Sequence, residues 1–460
     1  MVPSRETDPP ELFGHDFGPT PDEDYLGLNV WFVGALDDRF ESYNPAVTCP
    51  EGTAYVAGIL TGSQPKAILR TLVLLILTTG AALLVNTTRP KDDVSVLAKG
   101  RRLISIDALR GFDMFWIAGG TGIIQALSKT TNVDLVRVLD VQFAHKDWEG
   151  ATFYDLIFPL FVFIVGVSLV FSLSRHVEKN GKSAAYKRII VRSIFLFVIG
   201  VIFSSGPVTS FEGIRLMGVL QRIALCYLFA GLLFCTLKPR DLAIVCAALL
   251  FGYWALMTFV PVPGVGAGNF QEGTNLANYI DQQYLPLTKY DGDHDPEGLL
   301  STLPAIATCL LGVFAGFLLK NNSFSDKKKV GLLLGCGVVG ILLGFLWGLQ
   351  FPLIKKIWTS SYVLVTGGYS CLLLAVFYQT IEVWGRRKWA SPFVWIGANS
   401  IMTYLVSGAL AAFLLNGGLL DLSMNTVFGI YGELVSSVVF TGLILLIAYL
   451  LYRRKLFLRI

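Results

Sequence analysis

The sequence predicts an all-α polytopic membrane protein of about eleven transmembrane helices, N-terminus outside and C-terminus in the cytoplasm. Three observations predict it. Of 460 residues, 53% are hydrophobic and only 15% charged, with a mean hydropathy of +0.60, a balance suited to a chain dissolved in lipid. Apolar runs recur at the length of about 20 residues that a helix needs to cross the hydrocarbon. Lysines and arginines fall in short clusters between every second pair of runs, as the retention of positive charge in cytoplasmic loops requires. The formal charge of +4 is too small and too scattered for nucleic-acid binding.

Along the chain, residues 1–66 form an acidic appendage, with eleven Asp and Glu against Arg5, Arg39 and Lys66 and with scattered prolines. Residues 67–103 hold a first transmembrane helix and a basic linker, and residues 104–460 the main transmembrane domain. Candidate spans lie at 68–86, 104–126, 152–174, 188–206, 216–236, 242–260, 299–319, 329–348, 360–381, 393–415 and 432–452. Arg89 to Arg102, Arg175 to Arg188, Lys238 with Arg240, Lys327 to Lys329, Arg386 to Lys388 and Arg453 to Lys455 mark the cytoplasmic side. The long 261–298 loop, rich in Asp and Glu, faces outward, whereas Lys355 and Lys356 break the rule in the next outward loop. Six of the seven cysteines lie in or beside apolar runs and read as small packing residues; no metal-ligand spacing is present, and no metal is expected.

Against this background the polar inserts stand out, because charges inside a bilayer are costly and usually face a partner or a watery chamber. Asp107, Arg110 and Asp113 recur at three-residue steps and share an arc of one helical face. Gln221 and Arg222 interrupt the fifth span, and Asn399 and Ser400 the tenth. At the mouth of the third span, His145 precedes Trp148, Tyr154 and Asp155. Asp155 lies ten residues on, where a carboxylate can orient and charge-stabilise an imidazole. His294, between Asp293 and Asp295, is the second histidine on the same side. Phosphate-binding loops, dinucleotide fingerprints and nucleophile elbows are absent from the sequence.

The segments Ser105-Ile106-Asp107-Ala108-Leu109-Arg110-Gly111, His145 to Trp148 with Gly150, Asp155-Leu156 with Phe158-Pro159 and Phe161-Val162-Phe163-Ile164, and Gly218-Val219-Leu220-Gln221-Arg222 occur in that order. Asp295-Pro296-Glu297-Gly298, Trp358 with Ser361-Tyr362, and Asn399-Ser400-Ile401 follow. The series, covering roughly residues 103–460, resembles the heparan-alpha-glucosaminide N-acetyltransferase family. The resemblance implies a polytopic acetyltransferase that takes acetyl-CoA as co-substrate on the cytosolic side and delivers the acetyl group to a terminal glucosamine on the other. It implies His145 as the catalytic residue. The glycine run that eukaryotic members carry just before that histidine has its nearest counterpart well upstream, at Gly119 to Gly122. The acceptor is therefore expected to differ from heparan sulfate, and the chain resembles bacterial relatives of the inner membrane.

On this reading His145 is a general base or an acyl-carrying nucleophile, and Asp155 stabilises its cation. Asn399, Ser400, Gln221 and His294 are expected to serve the oxyanion or the acceptor. Arg110, Arg222 and Arg175, with Asp107, are expected at the CoA phosphates. The partners are an amino-sugar acceptor and the lipid bilayer, with a homodimer allowed. Two rival readings remain: a proton-coupled small-solute transporter, suited to intramembrane carboxylates, and a transmembrane O-acyltransferase of surface glycans.

Overall fold

The computed structural model describes residues 103–206, 210–414 and 421–457. The acidic appendage, the 68–86 span and nearly all of the basic linker lie outside them, together with His15 and Cys49. Among the described residues the structure is helical throughout, and extended backbone is confined to isolated bridges in loops.

Helix α1 (Ile104–Phe115) passes through a π-helical turn (Trp116–Gly120) into α2 (Thr121–Thr130), the axis breaking at Gly119, whose φ of 155° is open to glycine. The short α3 (Asp134–Gln142) buries none of its residues and delivers the chain to the loop that holds His145. Helix α4 (Ile157–Ser204) contains both the third and the fourth expected spans, because Gly181, at φ 80° and ψ 172°, folds it back on itself. Arg188 Nη1 thus comes within 3.2 Å of His176 Nδ1, twelve residues away, where a straight helix would part them by about 18 Å.

The bundle continues with α5 (Val219–Thr236), α6 (Pro239–Phe259), a short surface helix α7 (Leu276–Tyr284), α8 (Thr302–Lys320), α9 (Asp326–Gly348) and α10 (Ser360–Tyr378). Then come α11 (Ser391–Ala398), α12 (Ser400–Leu414), α13 (Asp421–Phe428) and α14 (Gly432–Arg453). Seven described helices are long and apolar enough to cross a membrane, or up to eight when the bent pair α11–α12 counts as one span. This differs from the expected eleven for physical reasons. The first span is outside the described residues, the third and fourth join in the continuous α4 and are told apart by the fold-back at Gly181, the second is split by the π-turn, and the tenth bends by 77° at Asn399.

Helix α8 lies at the centre, with 72% of its apolar window buried, whereas α9 buries 22% and turns a broad apolar face outward, as a lipid-facing helix does. Small residues bring α8 against α4: a Cβ on Gly166 would lie 1.9 Å from the Cys309 carbonyl oxygen, and one on Gly312 equally close to that of Phe163. The loops at one end of the bundle are knitted together. Glu149 pairs with Ile354, Arg215 pairs with Thr288, the Gly150 N–H donates to the Leu353 carbonyl at 2.8 Å, and the Trp148 indole donates to the Phe270 carbonyl at 2.9 Å. The expected candidate histidines His145 and His294 both lie in this layer.

Candidate active site

Asp155 sits in a single 3-10 turn, Tyr154–Leu156, at the entry of α4, and its side chain is fully buried. A buried carboxylate must be hydrogen-bonded to persist. Its Oδ2 accepts the backbone N–H groups of Thr152 at 3.1 Å and Lys146 at 3.2 Å, and the Thr152 hydroxyl bridges from it to the Ala144 carbonyl. The other oxygen, Oδ1, lies 2.8 Å from His145 Nδ1 and 3.0 Å from Lys355 Nζ. Tyr362, from α10, donates its hydroxyl to the Asp155 backbone carbonyl at 2.6 Å, fixing the turn from behind.

His145 leans on the Tyr154 ring at a centroid separation of 4.5 Å and keeps about a quarter of its side chain exposed (28%), so it can meet a substrate. Burial, reinforced by the Lys355 ammonium and opposed by Asp155, lowers its pKa to about 4, so at neutral pH the imidazole is an uncharged base or nucleophile. Lys355 Nζ lies 2.8 Å from Nδ1 and 3.5 Å from Nε2 of that ring. The expected pair is therefore a triad. Lys355 went unassigned in the sequence, and its signal was the break in the charge alternation at Lys355 and Lys356.

A second polar cluster adjoins the triad. Arg215 grips Asp295 with two nitrogens, Nε and Nη2, each at 2.8 Å, and Nη2 also reaches Glu297 at 2.8 Å. The Arg215 guanidinium covers the Tyr290 ring at 4.8 Å. Burial raises Glu297 to about 7 against the opposing pull of Arg215, and its field also reaches Lys355. Arg222 is fully buried, lies 4.9 Å from the centre of the Trp358 ring, and donates to the Gly298 carbonyl and to Ser301. Expected at the CoA phosphates with Arg110 and Arg175, it lies instead beside Trp358 and Gly298, at the end of the bundle that holds His145.

The remaining candidates are dispersed. Gln221 donates to Ser204 at 2.8 Å. Asn399 donates to the Leu456 carbonyl at 3.0 Å, and its neighbour Gly397 rests on the Asp107 carbonyl near the start of α1, with Ser400 opening α12 beside it. These residues brace helices rather than face the imidazole. His294 is buried among Glu272, Asp291 and Asp293, a group whose ligating atoms could hold a metal ion, but Lys356 Nζ already bonds Glu272 at 2.6 Å and Asp291 at 3.2 Å there. At the far end Arg110 donates to Ser168 and stands 3.9 Å from Asp107, and the exposed Arg175 donates to the Phe171 carbonyl at 3.1 Å. Asp113 is fully buried, and neither carboxylate oxygen has a hydrogen-bond partner among the described residues.

The family model described as heparan-alpha-glucosaminide N-acetyltransferase, catalytic, matches residues 102–339, more than half of the chain and a segment that contains His145, Asp155, Arg215, Arg222 and Glu297. The chain belongs to the heparan-alpha-glucosaminide N-acetyltransferase family. Two proteins of that name, from mouse and human, are 29% identical over 381 residues and 30% identical over 376. Each alignment covers 69% of this chain and 56% of the relative, so the chain spans about half the length of the curated relatives it matches. The family's matched segment stops short of Lys355, Trp358 and Tyr362, which complete the geometry around the histidine.

Proposed function

We propose that the protein is a membrane acetyltransferase that moves an acetyl group from cytosolic acetyl-CoA to the amine of a terminal glucosamine or related amino sugar on the opposite side. The observation that carries this reading is the half-buried His145 held 2.8 Å from a fully buried Asp155, inside the segment matched by the family.

Acetyl transfer needs an unprotonated amine to attack the thioester carbonyl. As the carbon–nitrogen bond forms, the amine proton passes to His145 Nε2, and Asp155 balances the imidazolium that results. The tetrahedral intermediate then expels the CoA thiolate, which takes that proton and leaves as the thiol. In the alternative order, Nε2 attacks first, CoA leaves, and the amine resolves an acyl-imidazole. In both orders the imidazole must start neutral, which the surroundings of His145 secure at any pH above about 4. An imidazole this weakly basic cannot strip a proton from an ammonium group, so the acceptor enters as the free amine. The acid limb of the rate profile then follows the acceptor's own ionisation, near pH 8 for a typical amine of this class, roughly. At the other end of the bundle, Arg110 and Arg175 are the cations proposed to meet the CoA phosphates.

The test is thiol release from acetyl-CoA by the purified full chain in detergent, with glucosamine present or absent, for the native protein and His145→Ala. Release that requires the sugar and falls by about 10²-fold or more in the variant supports the reading, on the scale of a lost acid–base group. Equal release from both removes His145 from the mechanism. One observation favours transport instead: Asp113, a buried carboxylate without a partner among the described residues, suits a proton-carrying site. Saturable uptake of a labelled solute into proteoliposomes, with no CoA release under any condition, would decide for that rival.

A further inference from the structure

Lys355 lies in the loop between α9 and α10, 210 residues from His145 in sequence, yet its side chain is only 16% exposed and points into the triad. The loop holds it there. The Trp358 N–H donates to the Lys355 carbonyl at 2.9 Å and the Thr359 N–H to the Ile354 carbonyl at 3.2 Å, closing a tight turn. Trp358 adopts a left-handed φ of 52°, unusual for a bulky residue, and the turn keeps it because its ring is almost wholly buried and donates to Thr308 at 3.0 Å. Strain of this kind, spent on a lysine that ordinary charge bias would place across the membrane, points to a role for the ammonium.

That role follows from hydrogen-bond arithmetic. A neutral imidazole has one donor nitrogen and one acceptor nitrogen. If Nδ1 carries the proton it donates to Asp155 Oδ1, and Nε2 offers a lone pair to the acceptor. If Lys355 donates to Nδ1 instead, the proton resides on Nε2, and the ring can only donate there. Asp155 Oδ1 and Lys355 Nζ each lie 2.8 Å from the same nitrogen and 3.0 Å from each other, so the carboxylate is shared between the ring and the ammonium. We propose that Lys355 is the positioning residue of this site: set against both Asp155 Oδ1 and the imidazole, its ammonium opposes protonation of His145, and when it rests on the carboxylate Nδ1 donates to Oδ1 and Nε2 is left free towards substrate. A carboxylate alone would favour the charged imidazolium, which is useless as a base; the lysine cancels that pull while leaving Asp155 able to orient the ring. The groups facing His145 are Asp155 and Tyr154 from the entry of α4 and Lys355 and Lys356 from the α9–α10 loop, with Glu297 facing Lys355 from the loop before α8.

The catalytic meaning of this inference rests on the acetyl-transfer reading; its test does not. Deuterium exchange at the imidazole C2 position, read by mass spectrometry on the His145 peptide of the full chain in detergent across pH, reports the ring's titration without any donor or acceptor. The native midpoint is expected near 4. Lys355→Met removes the cation and leaves Asp155, so the midpoint rises by more than about one unit, whereas Lys355→Arg keeps the charge and holds it low. Lys355→Gln, which retains reach and polarity, follows the methionine variant if charge is the cause, and stands in for it if methionine does not fold. A native midpoint at the ordinary 6.5 overturns the proposal. So does an unmoved midpoint in the neutral variants, or an arginine variant that rises as far as they do. An absence of acetyl transfer in the preceding assay with a low, lysine-dependent midpoint would remove the chemistry and keep the positioning role.

Discussion

The two charged inserts that interrupt the apolar sequence are solved in opposite ways. Around His145 the buried charges are bonded to one another: Asp155 collects two backbone N–H groups, an imidazole and an ammonium, and Arg215 is shared by Asp295 and Glu297. On the α1 face, Asp107 and Arg110 are paired with each other, but Asp113 has neither oxygen bonded among the described residues. The comparison separates a site organised before substrate arrives from a buried carboxyl for which no partner is described. Preorganised polar clusters are stable because they are complete, and removing any one member exposes the desolvation that the others were offsetting.

The first way to break the comparison is Asp155→Asn. The amide keeps the size but loses the charge that selects the Nδ1 proton, so acetyl transfer should fall by about 10²- to 10⁴-fold, the range of a lost acid–base arrangement, with acceptor KM little changed. A loss below about threefold would mean that Lys355 or the turn orients the ring unaided. The second is Arg215→Ala, which strands two buried carboxylates; unfolding of the detergent-solubilised chain should become easier by about 3–5 kcal/mol. Near-native stability would show that water reaches Asp295 and Glu297 and that the cluster is less buried than its geometry says.

Asp113→Asn should act in the other direction. An isosteric amide removes a buried carboxyl that can ionise and for which no partner is described, so thermal stability is expected to be kept or to rise slightly, by less than about 1 kcal/mol. If stability falls instead, a partner from outside the described residues holds that carboxylate, and the contrast between the two regions disappears. If it rises while thiol release fails, the carboxyl is retained for function at a cost to the fold.

How much of this was legible in the sequence depends on the range of the interaction. The helical class, and the spans that fill α5, α6, α8, α9, α10 and α14, follow from composition and run length, which act locally. The fold-back at Gly181 falls in the basic connection that the sequence places between the third and fourth spans, whereas the bend at Asn399 escaped because a polar break inside an apolar run looks the same whether the helix continues or turns. His145 and Asp155 were legible because they are ten residues apart on one short loop. Arg215 was missed because its partners lie 80 and 82 residues away in a loop that sequence alone leaves unpaired. Arg222 was grouped with Arg110 and Arg175 because sequence alone does not show the Trp358 ring, 136 residues on, that it lies against. Lys355 carried a signal that went unused: an ammonium where the charge rule forbids one marks a partner waiting in the fold.

The finest form of the comparison lies between adjacent lysines. Lys355 and Lys356 break the same rule, yet Lys355 bonds the triad while Lys356, 28% exposed, bridges Glu272 and Asp291 at the rim. Because water screens a rim pair, Lys356→Ala should cost less than about 1 kcal/mol of stability, and that loss should shrink further in high salt. Its charge stands behind that of Lys355 among the influences on His145, so the histidine midpoint should rise by less than it does in Lys355→Met. Equal shifts from the two substitutions would mean that the imidazole responds to the summed positive charge of the loop. Unequal shifts, with Lys355 dominant, would tie the effect to the single ammonium that touches both His145 and Asp155.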